Sequence, residues 1–285
     1  MTWTGAPDAP PTARIAALAP SLQPSERRVA EAIAADVARA VDMTAQELAE
    51  AAGVGRASVV RTAQSLGYDG YPQLRVALAR EGASDAVAAE SVGGSLGVVQ
   101  SALDRFGRAL PATASGLTHE SVDAFVAALD EGGRVVVTAN GLSAPLGYDV
   151  ALRLASAGRP VEYMPDALAQ QIAAGQLREG DVLLAISGSG ASRATLAAVE
   201  AALAGGATVL GLTAFSRSAL VERSTLSLVV PSAGQSFQNE LLQTSRAGMA
   251  LVIEGLVEAL VTHRGPRARD ARAATLGAVS DSLRE

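Results

Sequence analysis

Cysteine is absent from the 285 residues. That excludes disulfides, thiolate metal sites and cysteine nucleophiles together. Lysine is absent as well, so all 23 basic residues are arginine, the side chain best suited to bidentate contacts with guanine or phosphate. Imidazole comes only from His119 and His263, far apart in the chain. No histidine metal site or catalytic triad is expected from them. Aromatic residues make up only 3%, so any core must be built from Ala, Val and Leu. No uncharged apolar run reaches the roughly 18 residues that a membrane span needs. The Pro-rich start, Met1 to Pro11, lacks the basic and apolar segments of a signal peptide and reads as a disordered tail. The expected compartment is the cytoplasm.

What is present is apolar and acidic. Apolar residues make up 49%, enough for a sizeable core, and the formal net charge is −6. An acidic chain does not coat nucleic acid non-specifically. It can still carry a DNA-binding module, because local charge decides that.

Composition breaks after Pro11, across Glu81 to Gly97, and after His263 suggest five segments. They are a tail over 1–14, a helical domain over 15–82, a linker with helical content over 83–110, a second domain over 111–263, and a tail over 264–285. In the first domain Val29, Ile33 and Val37 recur at helical spacing. Thr44-Ala-Gln-Glu47 then matches a capping box and predicts a short helix to Ala51. Gly53 falls where that helix must stop and turn. A second helix, Arg56 to Leu66, is expected to turn Val59, Val60, Ala63 and Leu66 inward. Arg56, Ser58, Arg61, Thr62 and Ser65 are expected outward, with Gly67 ending the helix. Two short helices, a tight Gly turn and a polar-faced second helix describe a helix-turn-helix. An ordinary three-helix bundle with a solvated face shares that pattern. The charge separates them: Gly53 to Arg80 holds four arginines and one acid, in a region that is net acidic from Met1 to Gly82.

Beyond the linker the pattern alternates. Short apolar runs at 134–138, 161–163, 181–186, 208–213 and 226–230 predict strands. Helical stretches at 145–157 and 196–203, and a long one from Asn239 to Leu260, separate or close them. The expected fold is an all-α helix-turn-helix domain followed by an α/β domain with a parallel, five-stranded, doubly wound sheet.

Ligands bind such sheets beyond the carboxyl ends of the strands. Two strand ends have suitable composition: Thr138-Ala-Asn-Gly-Leu-Ser143 and Ser187-Gly-Ser-Gly-Ala-Ser192. Small residues admit a ligand close to the backbone, and hydroxyls with helix-start N–H groups can cradle phosphate oxygens. No Gly-Lys-Ser/Thr follows, so this is no nucleotide P-loop, and no Gly-x-Gly-x-x-Gly follows a strand. A plain turn explains one such loop; two at neighbouring strand ends point to a site.

Both halves resemble one family. Leu22-Gln-Pro-Ser-Glu-Arg-Arg-Val-Ala30, Glu47-Leu-Ala-Glu-Ala-Ala-Gly-Val54, Ala57-Ser-Val-Val-Arg61 and Leu66-Gly-Tyr-Asp-Gly-Tyr71 resemble the N-terminal domain of RpiR-type (MurR/RpiR) regulators. Gly133 to about Leu260 resembles their SIS (sugar isomerase) domain, through the Ser187-x-Ser-Gly-x-Ser192 loop and Thr244-Ser-Arg246. The resemblance implies a homodimeric or homotetrameric regulator that binds double-stranded operator DNA and a phosphorylated sugar effector. It implies no cofactor, metal or catalytic residue. Thr44, Arg56, Ser58, Arg61 and Thr62 would meet DNA. Asn140, Gly141, Ser143, Ser187, Gly188, Ser189, Ser192 and Glu240 would meet the effector. The sequence departs from the family at Gly55 and Arg56 (Ser and Glu are usual), at Thr62 (an aromatic is usual) and at Ser192 and Ala194 (Thr and Glu are usual). With Arg193 gained, the ligand can differ too. An isomerase or lyase on the same fold is the alternative; it needs a general base, for which Glu240 is the one placeable acid, and it leaves the helix-turn-helix unexplained.

Overall fold

The computed structural model describes Trp3 and residues 8–86, 94–231 and 246–282. The chain forms two compact units, with the break between Ala102 and Leu103; each is described by itself.

The first unit is helical: α1 (Pro11–Leu18), α2 (Pro24–Ala35), α3 (Val37–Asp42), α4 (Ala45–Ala51), α5 (Arg56–Ser65) and α6 (Tyr71–Ala86). Helix α7 (Gly94–Thr113) follows. The capping box at Thr44 forms as expected. Its hydroxyl accepts from the Glu47 N–H at 3.2 Å, and the Glu47 carboxylate accepts from the Thr44 N–H at 2.9 Å. Gly53 adopts φ +62° and Gly67 φ +88°, the left-handed conformation in which glycine lacks a Cβ penalty.

Two expectations are corrected here. The segment read as a tail is structured from Pro11 onward. Arg14 is buried, with Nη1 donating to the Leu66 carbonyl at 3.0 Å and Nε to Ala9 at 2.9 Å. Its guanidinium lies over the Trp3 and Tyr68 rings, a cation–π arrangement that fixes the N-terminal segment to the end of α5. Val37 does not continue α2. Asp36 interrupts it and caps α3 instead, accepting from the Arg39 N–H at 2.9 Å. The helical content expected in the stretch read as a linker is there: α6 extends to Ala86, and α7 is helical over 94–113.

The second unit continues with α8 (His119–Glu131), β1 (Val135–Ala139), α9 (Ala144–Ser156), β2 (Glu162–Tyr163), α10 (Ala167–Ala174), β3 (Val182–Ile186), α11 (Arg193–Ala204), β4 (Thr208–Thr213), α12 (Ala219–Arg223), β5 (Leu226–Val229), α13 (Ala247–Arg264) and α14 (Pro266–Ser282). All strands are parallel, in the order β2-β1-β3-β4-β5. That is the flavodoxin-like order, which reverses direction between β1 and β3. Strands β1 and β3 are buried along their whole length, because helices cover both faces. On one face Phe125, Leu129, Val150, Leu154, Ile253 and Leu260 pack on the sheet from α8, α9 and α13. On the other, Ala174, Leu177, Ala198, Val199 and Ala202 do so. Leu, Val and Ala dominate, as a core nearly without aromatics requires.

Here too the chain exceeds its sequence reading. Residues 264–285, read as a tail, include helix α14, which packs on α9 and α13. Ala268 is fully buried, and Arg272 pairs with Glu258 at 2.8 Å. The start of the long final helix, 239–245, lies outside the described residues; the helix is present from Ala247. No helix among the described residues is long and apolar enough to cross a membrane.

Candidate functional site

The helix-turn-helix face is narrower than its pattern suggested. On α5, Arg56, Ala57, Arg61 and Gln64 are exposed. Ser58, Thr62 and Ser65, expected outward, are buried, and Val60, expected inward, is half-buried. The reason lies in packing against α2. The Thr62 hydroxyl donates to the Ser58 carbonyl at 2.8 Å, one turn back, and reaches the Glu26 carbonyl at 3.5 Å. Small hydroxyl side chains can satisfy themselves this way and be buried at low cost. Position 62 is therefore part of this domain's core. The Thr44 hydroxyl is committed to its cap, and the Ser58 hydroxyl accepts from Arg61 Nη2 at 3.0 Å.

Arg75 is also taken out of the positive face. It donates to the carbonyls of Val41 and Asp42 at the end of α3, while the Tyr71 hydroxyl donates to Ala40 at 2.6 Å. Burial lowers the Arg75 pKa to about 10 and raises that of Tyr71, since desolvation disfavours either charged form. Arg56 and Arg61 carry the charge that remains on α5, with Gln64 beside them.

At the carboxyl edge of the second unit, the two serine loops meet. The Gly188 N–H donates to Ser143 Oγ at 3.3 Å. Ser143 and Ser187 are buried and Ser189 is half-buried. Ser192 caps α11, its hydroxyl accepting from the Thr195 N–H at 3.5 Å. Asn140 Nδ2 crosses to the same helix, donating to Thr195 Oγ1 at 3.1 Å. So Asn140, Gly141, Ser143, Ser187, Gly188, Ser189 and Ser192 all lie at the ends of β1 and β3, the topological switch point. Glu240 lies outside the described residues.

Beneath the loops is a network that the sequence did not reveal. Gln170, on α10, is fully buried. Its Oε1 accepts from Thr138 Oγ1 at 2.7 Å and from Asn140 Nδ2 at 3.0 Å. Its Nε2 donates to the carbonyls of Met164 at 2.7 Å and Ala139 at 3.2 Å. One side chain thus ties the ends of β1 and β2 to α10. Gly190, at φ +61°, sits against the β4 end; a Cβ there would lie 2.3 Å from Ser218 Oγ and 2.8 Å from Thr213 Oγ1. The Gly188 carbonyl accepts from the Ala214 N–H at 3.1 Å. The loop is therefore tied to the β4 end from below, and it leads into the amino end of α11 at the carboxyl edge of the sheet, the edge at which ligands bind doubly wound sheets. No Asp or Glu occurs over 135–148, 182–199 or 208–221, so the loops after β1, β3 and β4 carry no carboxylate to repel an anion or to act as a base. Among the described residues, no cluster of His, Asp and Glu could hold a metal ion.

A helix-turn-helix followed by a doubly wound parallel sheet with joined serine loops defines a class: a transcriptional regulator with a SIS domain. The sequence matches the rpiR-family helix-turn-helix domain over residues 12–85 and the SIS domain over residues 129–254. The chain belongs to the RpiR family of transcriptional regulators. It is 25% identical over 236 residues to an uncharacterized HTH-type transcriptional regulator of Caldanaerobacter subterraneus subsp. tengcongensis, covering 81% of this chain and 84% of that one. Its fold is that of the Vibrio vulnificus NanR protein complexed with ManNAc-6P, with a TM-score of 0.79 at 22% identity over 96% of this chain and 100% of that one. The sugar isomerase domain of an RpiR transcription factor from Sphaerobacter thermophilus aligns at TM-score 0.53 and 22% identity, over 62% of this chain and 96% of that one.

Proposed function

We propose that this regulator controls genes of carbohydrate metabolism, and that a phosphorylated sugar or related metabolite held at the serine loops sets its affinity for operator DNA. One observation carries the reading: the Ser143 and Ser187–Ser192 loops are joined at the switch point of a parallel sheet, beside the amino end of α11, with no carboxylate among them. Backbone N–H groups and hydroxyls in that arrangement favour a phosphate. The fold shared with NanR, which was captured with ManNAc-6P, supports the same ligand class.

On the DNA side, Arg56 and Arg61 would enter the major groove from α5. Two copies of the chain, as a homodimer or within a homotetramer, would present two such helices to an inverted repeat. The effector then acts by preferring one of two spacings. A tenfold preference supplies about 1.4 kcal/mol to that shift. Catalysis is not part of this reading: the loops after β1, β3 and β4 carry no carboxylate to serve as the general base that aldose–ketose or lyase chemistry needs, and Glu240, the acid the sequence offers for that role, lies outside the described residues.

The test is a gel shift on DNA upstream of the protein's own gene, titrated with a panel of sugar phosphates. Arg61→Ala is expected to weaken specific binding about tenfold or more and to relax the sequence preference at the base it reads. Ser189→Ala, on a half-exposed hydroxyl, should leave DNA binding intact and remove the response to the effector. Turnover of a sugar phosphate without any DNA shift would overturn the reading.

A further inference from the structure

On the reading that the serine loops hold a phosphate, we infer that the effector carries a second anionic group, which a plain sugar monophosphate lacks, and that Arg193 and Arg217 bind it on the β4 side of those loops.

The loops have donors enough for one phosphate without a cation. Ser187 is only 4% exposed, yet its hydroxyl has no hydrogen-bond partner among the described residues. The Ser143 hydroxyl accepts from the Gly188 N–H, and the Ser189 hydroxyl accepts from the Ala191 N–H at 3.3 Å; neither donates to a described residue. Three hydroxyl protons at the ends of β1 and β3 are thus free. An unpartnered hydroxyl as deep as Ser187 calls for an acceptor, and a phosphate monoester brings three oxygens to the three protons.

Two cations nonetheless stand beside the loops. The Gly190 carbonyl accepts from the Leu220 N–H at 2.9 Å, so α12 begins against the serine loop. It ends against α11 further down, where Arg223 stands 3.6 Å from Glu200. The two helices therefore run side by side in the same direction, and their amino ends are neighbours. Arg193 opens α11, two turns before Glu200 and on the same face of the helix. Arg217 directly precedes Ser218, which caps α12. Both arginines are exposed, and both lie where the furrow between α11 and α12 meets the carboxyl edge of the sheet.

The position of Arg193 is unfavourable without a ligand. A cation at the amino end of a helix meets the positive pole of its dipole. The first turn of α11 holds no acid, and Arg193 forms no ion pair among the described residues. Arg223, lower in the same furrow, has Glu200. An anion at the upper end gives Arg193 the counter-charge that the chain withholds. The loop after β1, over 135–148, holds no charged residue of either sign, so the second group lies toward β4 and the sugar spans the ends of β3 and β4. A carboxylate and a second phosphate share the required chemistry, since a guanidinium meets either with two parallel hydrogen bonds.

Calorimetry on the full chain, without DNA, tests this with inorganic phosphate, a set of hexose 6-phosphates, the matching hexonate 6-phosphates and the matching bisphosphates. Wild type is expected to bind one two-anion class about tenfold more tightly than the corresponding monophosphates. Whether the acids or the bisphosphates are preferred identifies the second group. In Arg193→Gln/Arg217→Gln that ratio should fall to about twofold or less. The ratio is read within each protein, so a loss of folded material does not imitate the effect. Equal affinity of wild type for monophosphates and two-anion ligands, or a preference that survives the double substitution, overturns the inference and leaves the serine-loop reading standing. Binding of no ligand in the set, inorganic phosphate included, overturns the serine-loop reading and the inference with it.

Discussion

A Gly190→Ala protein is expected to lose about 2–4 kcal/mol of stability in its α/β unit, and with it any response to a phosphorylated effector. Two costs combine. The backbone at φ +61° is one that a side chain resists, and the new methyl would overlap Ser218 Oγ at 2.3 Å and Ser218 Cβ at 2.4 Å. Ser218 cannot retreat easily, because it caps α12 and is itself buried. The loop must therefore lift, which breaks the Gly188–Ala214 bond below it and separates the hydroxyls from the α11 amino end. Gly141→Ala is the matching control. It has nearly the same φ, +59°, but nothing within 4 Å of its Cβ, so only the strain of about 1 kcal/mol should appear. Urea denaturation of both variants, followed by effector titration of the folded protein, checks the pair. Equal losses at the two positions would mean that the packing against Ser218 contributes nothing.

Gln170→Leu should cost about 3–5 kcal/mol, more than a comparable change on the surface by an order of magnitude. The substitution keeps the size of the side chain and removes four hydrogen bonds. The carbonyls of Ala139 and Met164 lose the Gln170 amide and the buried Thr138 hydroxyl loses its acceptor, while Asn140 keeps Thr195. Each unmade bond costs more than a made one contributes, because water cannot replace it there. Stability of the α/β unit should fall, and the Asn140 loop should loosen with it. If chemical denaturation finds a loss below about 1 kcal/mol, the network is not holding the loop.

Much of the site was legible along the chain. Both serine loops stand out as small polar residues directly after apolar strands, and strand order makes their ends adjacent. The cap at Thr44 and the turns at Gly53 and Gly67 follow from local chemistry alone. Gln170 was invisible for the opposite reason. It lies on an Ala-rich helix with a second glutamine next to it, and nothing local tells which of the two is buried. Thr62 misled because a threonine reads as polar, and only contact with α2 shows that its hydroxyl is satisfied within its own helix. Arg75 counted toward a positive face until the α3 carbonyls claimed it.

The sequence by itself determined the order of the two domains, the helix-turn-helix, the parallel sheet and the positions of the serine loops. These rest on periodicity, caps and glycines, which act over a few residues. Tertiary structure alone decided which arginines remain outside, which polar side chains hold the loops, and that residues 11–14 and 266–282, read as parts of tails, form helices. Those outcomes depend on partners 30 to 100 residues away, such as Glu26 for Thr62, Asn140 for Gln170 and Glu254 for Arg153. Burial and hydrogen bonding across such distances leave no periodic trace in the chain.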